Sequence, residues 1–78
     1  MAVTTIRVQY RGGKPAPGYR VSLTFTSPLG GVTDSQLTDS QGLAQIQHSS
    51  TGPANVIVQG TTRLHGVRCP GEYTVTLD

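Results

Sequence analysis

Leu37-Thr38-Asp39-Ser40-Gln41-Gly42-Leu43-Ala44-Gln45-Ile46 is the stretch on which the reading of the fold turns. The turn formers Asp39 to Gly42 divide a polar segment from an apolar one, so the stretch predicts the central hairpin of a small all-β domain. Past the turn, Ala44, Ile46 and His48 share one face and Leu43 and Gln45 the other, the period of a half-buried strand. Asp39 can accept backbone N–H bonds across a tight turn, and Gly42 can adopt the left-handed geometry of a hairpin exit. Both read as structural turn residues rather than as a catalyst or a metal ligand.

Upstream, residues 3 to 10 alternate, with Ile6, Val8 and Tyr10 on the face expected to be core and Thr5, Arg7 and Gln9 opposite. Arg11 to Gly18 holds two prolines and three glycines and reads as a loop. Tyr19 to Thr26 has the cleanest alternation, setting Tyr19, Val21, Leu23 and Phe25 inward, and is expected at the centre of a sheet. Ser27 to Gly31 ends it, and Val32 to Thr38 predicts a third, polar strand near a sheet edge. Downstream, Ser49 to Pro53 reads as a loop. The run Val56-Ile57-Val58 suits a strand covered on both sides or one that starts at a corner. Thr61 to Val67 predicts a further strand, bounded by Arg68 to Gly71. The last, Glu72 to Leu77, should place Tyr73, Val75 and Leu77 inward. Six or seven short strands without helical periodicity predict one antiparallel β-sandwich domain over residues 1–78.

Composition narrows the function classes. A chain of 78 residues forms one domain with a small core. Its single cysteine, Cys69, allows no intrachain disulfide, which leans toward a reducing compartment. The amino terminus lacks the apolar run of a signal peptide, and no stretch reaches the ~20 apolar residues of a spanning helix. The expectation is a soluble chain without a membrane role, cytoplasmic if free-standing and extracellular if it is a domain excised from a secreted protein. The formal charge is +2, and Arg7, Arg11, Lys14 and Arg20 all precede the first acidic residue, which makes them the candidate binding surface.

Three motifs carry a resemblance. Gly13-Lys14-Pro15-Ala16-Pro17-Gly18 with Val21-Ser22-Leu23, then Thr38-Asp39-Ser40-Gln41-Gly42-Leu43-Ala44, then Gly71-Glu72-Tyr73-Thr74-Val75 are together similar to the carboxypeptidase regulatory-like and transthyretin-like (prealbumin-like) domains. The resemblance spans most of the chain. It implies a small Greek-key sandwich of about seven strands, transthyretin-like or Ig-like, and a function among accessory, adhesive, carrier and, rarely, catalytic units.

Catalysis is the alternative reading. The transthyretin-like hydrolases of 5-hydroxyisourate use histidine and arginine with a carboxy-terminal Tyr-Arg-Gly-Ser. Here Tyr10-Arg11-Gly12-Gly13 follows the first strand, and the chain ends Thr76-Leu77-Asp78, so the match fails in position and in its last residue. No catalytic role is carried over to Tyr10 or Arg11. His48, His65 and Cys69 are too few for an ordinary zinc site without a C-x-x-C pair, so no metal or other cofactor is expected. Lys14, Asn55 and Glu72 are placed wrongly for an isopeptide bond, because a reactive lysine needs a desolvated strand position. Single-stranded nucleic acid would need exposed aromatics for stacking, whereas Tyr10, Tyr19, Phe25 and Tyr73 fall on the predicted core faces. Carbohydrate binding meets the same objection, as the chain has no tryptophan. The residues therefore point to a non-catalytic interaction or accessory module. It would bind a protein partner or a second copy through an edge strand, either Val32 to Thr38 or the terminal strand, with the Arg11 to Gly18 loop as a second contact.

Overall fold

The computed structural model describes residues 2–26 and 31–77. Its seven strands are β1 (Ala2–Tyr10), β2 (Arg20–Phe25), β3 (Gln36–Leu37), β4 (Leu43–His48), β5 (Gly52–Val58), β6 (Thr61–Cys69) and β7 (Glu72–Leu77). They form a three-stranded sheet, β4-β1-β7, facing a four-stranded sheet, β3-β2-β5-β6. The small all-β sandwich expected from the turn spacing is the fold. Period-two alternation builds the core: Ile6 and Val8, Ala44 and Ile46, and Val75 and Leu77 meet Val21, Leu23 and Phe25 and Ala54, Val56 and Val58. Among the described residues, no buried side-chain polar atom lacks a hydrogen-bond partner.

The stretch from Leu37 to Ile46 is not a hairpin. β3 belongs to the four-stranded sheet and β4 to the three-stranded one, so the turn is a corner that carries the chain between sheets. β4 pairs instead with β1, antiparallel, from Ala2↔His48 to Arg7↔Leu43. Nor is every pair antiparallel: β7 enters beside β1 in parallel, from Thr5↔Glu72 to Tyr10↔Leu77. The chain reaches it by crossing over from β6 of the other sheet, and such a crossover permits the parallel direction that a tight hairpin forbids. This corner contains the cis Cys69–Pro70 peptide, and the Tyr73 hydroxyl donates to the Arg68 carbonyl across it.

The polar third strand shrinks to two residues because threonine hydroxyls stand in for ladder carbonyls. Thr33 Oγ1 accepts from the Leu23 N–H at 2.9 Å and Thr38 Oγ1 from the Tyr19 N–H at 2.9 Å. The backbone N–H groups of the same threonines donate to Leu23 and Tyr19. The side of β2 facing this segment is thereby satisfied without regular strand geometry. The turn expected over Ser27 to Gly31 lies, apart from Gly31, outside the described residues. β5 begins at Gly52, within the stretch expected as a loop, and β6 continues past Val67 to Cys69. Ile57 lies on the outer face, half-buried between the buried Val56 and Val58, so β5 is covered on one side only. Tyr10, placed with the core by its period, is 41% exposed. β1 outruns β4 there while still pairing with β7, and Tyr10 donates its N–H to Lys14 at the tip of a loop.

Candidate interaction edge

Asp39 and Gly42 organise the corner. Asp39 Oδ1 accepts from the Gln41 N–H at 2.8 Å and the Leu43 N–H at 3.0 Å, the latter beyond what an Asx turn alone supplies. The Asp39 N–H in turn donates to the Leu43 carbonyl at 2.9 Å. Gly42 has φ +76°, and a Cβ there would lie 2.4 Å from the Val8 carbonyl oxygen and 3.1 Å from the Ala16 nitrogen. Glycine is needed for close approach as well as for its dihedral, because the loop from Arg11 folds back and buries Ala16 against this corner.

The four cations do not form one surface. Arg7 lies between the buried Ile6 and Val8 and so faces outward from the three-stranded sheet. Arg20 precedes the buried Val21 and faces outward from the opposite sheet. Arg11 and Lys14 occupy the loop at one end. The Tyr10 and Tyr19 rings meet edge to face at that same end, with centroids 6.0 Å apart. A hydrogen bond with Tyr19 is the main reason the Tyr10 phenol is held above its ordinary value, with desolvation second and the Tyr19 charge third.

His48 is a core residue, 6% exposed, with its ring 5.1 Å from that of Phe25. Its Nδ1 is 2.6 Å from the Ser50 carbonyl oxygen, which can only accept, so Nδ1 carries a hydrogen. In the neutral ring Nε2 then accepts from the buried Thr4 hydroxyl at 2.7 Å. His65 is exposed on β6, whereas Cys69 is buried at its end. Among the described residues, no three His, Cys, Asp or Glu side chains are grouped to hold a metal ion. Three open concavities, of 530, 620 and 370 Å³, include no histidine in their linings.

What the fold does leave available is backbone. In a strand, the N–H and C=O of one residue point to the same side, and alternate residues point to opposite sides. Thr5 donates to the Gly71 carbonyl and Val8 to the Gly42 carbonyl, so odd residues of β1 serve β7 and even residues serve β4. It follows that Ala44, Ile46 and His48 are tied to β1 while Leu43, Gln45 and Gln47 aim away from it. The Asp39 cap occupies Leu43, which leaves Gln45 and Gln47. On β7, by the same reasoning, Glu72, Thr74 and Thr76 aim away from β1.

The four-stranded sheet is better guarded. β3 is two residues long. β6 changes register twice against β5, and at the first shift Gly66, with φ +65°, donates its N–H to Asn55 Oδ1 at 3.0 Å. Bulges and the exposed Arg63, His65 and Arg68 are the devices that keep an edge from pairing. These features define a β-sandwich with two regular strand edges open on one sheet. No protein-family model, curated protein or solved structure matches the chain.

Proposed function

We propose that this domain is a non-catalytic interaction or accessory module that takes a protein partner, or a second copy of itself, along a strand edge of the three-stranded sheet. One observation carries the reading: β4 and β7 keep unbulged edges with free backbone groups, while β3 is cut short and β6 is bulged and charged. Main-chain hydrogen bonds along an edge supply affinity, and the alternate side chains beside it supply selectivity. The three-motif resemblance to carboxypeptidase regulatory-like and transthyretin-like modules supports the same class, since accessory units are its common members. The polar third strand contributes little backbone of its own, which moves the proposed edge to β4 and β7.

A display selection of random peptides on the immobilised domain, followed by amide chemical-shift mapping of each binder, tests this. Binders that shift Gln45 and Gln47, or Glu72, Thr74 and Thr76, support the module. A selection that returns no binder, or only binders mapping to the outer sheet faces, overturns it.

A further inference from the structure

We infer that the β4 edge pairs with the β4 edge of a second copy of this chain, in an antiparallel register that sets Gln45 opposite Gln47 of the other copy. The inference rests on the interaction-module reading and narrows it to one edge and one occupant.

The register follows from which groups are free. Asp39 caps Leu43, so the usable groups of this strand are the N–H and C=O of Gln45 and Gln47. A two-fold axis through Ile46 brings Gln45 of each copy opposite Gln47 of the other, and both residues present their backbone groups to the partner. Each pair exchanges two hydrogen bonds, so the contact closes with four and leaves none of these groups unpaired. Moving the axis to Gln45 would set Gln47 against the capped Leu43 and lose half of them. Moving it to Gln47 would set Gln45 against Ser49, past the end of β4, so the axis at Ile46 is the one that pairs all four strand residues.

Side chains agree with the backbone. Gln45 and Gln47 are both exposed on the outer face, and in this register their amides are direct cross-strand neighbours. An amide both donates and accepts, so identical edges complement one another without a charge partner. β4 carries no Asp, Glu, Lys or Arg, so no like charges oppose self-pairing. β7, by contrast, carries Glu72 on its free edge.

The surroundings are also unlike a guarded monomer surface. A 530 Å³ cleft runs beside this edge, between Gln45, Ile46 and Gln47 and the Asp34 and Gln36 wall of the other sheet. Val3, beside Gln47 on β1, also lines this cleft and is 43% exposed. The contact extends the sheet through both copies as β7-β1-β4-β4-β1-β7. A symmetric contact of this kind closes on itself and does not propagate into a fibre.

Charge swapping tests the contact, and Gln45→Lys/Gln47→Glu tests the register, because it sets lysine opposite glutamate only where Gln45 faces Gln47 of the other copy and should tighten the dimer in that register alone. Sedimentation equilibrium up to about 1 mM should show a monomer–dimer equilibrium for the native chain. The double variant Gln45→Lys/Gln47→Lys sets lysine against lysine and should weaken association by about tenfold or more. Gln45→Glu/Gln47→Glu should do the same, and mixing the two variants should restore the dimer as a heterodimer. These positions face solvent, so both variants should keep the native amide spectrum. A native chain that stays monomeric throughout, or lysine variants that dimerise as well as it does, would overturn the inference. Failure of this dimer leaves the module reading standing if selected peptides still map to β4 or β7, and a selection that also fails removes both.

Discussion

Gly42→Ala gives the sharpest measure of how the corner is built, because the structure supplies its own control. Gly18 has φ +77°, nearly the φ +76° of Gly42, yet a Cβ at Gly18 meets nothing within 4 Å. Alanine at Gly18 bears only the cost of the left-handed conformation, roughly 1–2 kcal/mol. Alanine at Gly42 bears that cost and also drives its Cβ toward the Val8 carbonyl, which already accepts from Ala16 at 3.0 Å. Backbone surrounds the site, so a side-chain rotation cannot relieve the clash. The Val8–Gly42 and Ala16–Val8 hydrogen bonds must stretch or break, at about 0.5–1.5 kcal/mol each. Together the terms give about 2–5 kcal/mol for Gly42→Ala against about 1–2 kcal/mol for Gly18→Ala. A domain of 78 residues has roughly 4–12 kcal/mol in total, so the first variant removes a large share of it and the second a small one. Urea unfolding followed by circular dichroism reads the difference. With an m-value of about 1 kcal/mol/M, the two midpoints should lie about 2 M apart. Coincident midpoints would refute the argument that close approach, rather than dihedral freedom, is what requires glycine there.

Asp39→Ala should cost about 1–3 kcal/mol in the same urea assay, since it removes both bonds to the corner amides, and Asp39→Asn should recover most of the loss. Thr4→Val keeps the shape of a fully buried residue but takes away the donor to His48 Nε2, so it should destabilise by about 1–3 kcal/mol. In a His48→Phe background the same substitution should cost clearly less, and an additive double-mutant cycle would contradict the pairing. For Tyr10, absorbance near 295 nm should show a phenol titrating above its ordinary value of 10.0, and Tyr19→Phe should lower it. The sign is that of a group kept neutral by folding. Its stabilisation is complete below the unfolded value and is lost as pH rises through the raised folded one.

The fold class and most inward faces were legible from residue order, because a half-buried strand writes its burial directly into a period of two. The pattern worked for Tyr19 to Phe25, for Ala44, Ile46 and His48, and for Val75 and Leu77. It failed at Tyr10, where the phase is right but β4 has already ended beside β1. It also failed at Val32 to Thr38, where Thr33 and Thr38 replace a ladder with hydroxyl bonds that no periodicity records. The basic residues were visible as a cluster in the chain, but Arg7 and Arg20 lie on opposite sheets. The candidate edge was the least legible feature. Whether Gln45 has a free N–H depends on which neighbour takes Ala44, and that neighbour lies some forty positions away at Ile6.

By itself, the order Leu37 to Ile46 determined that the chain turns at Asp39 to Gly42 and leaves with Ala44 and Ile46 on a buried face. Those outcomes are local, since they need only a carboxylate near two amides, a residue free to take positive φ, and alternation. Tertiary structure alone decided that the turn joins two sheets instead of two paired strands. A hairpin and an inter-sheet corner call for the same turn residues, and they differ only in which distant strand takes the exit. β1 takes it, because its even residues face that side and its Val8, with Ala16 of the following loop, closes over Gly42. That choice is also what leaves Gln45 and Gln47 facing outward.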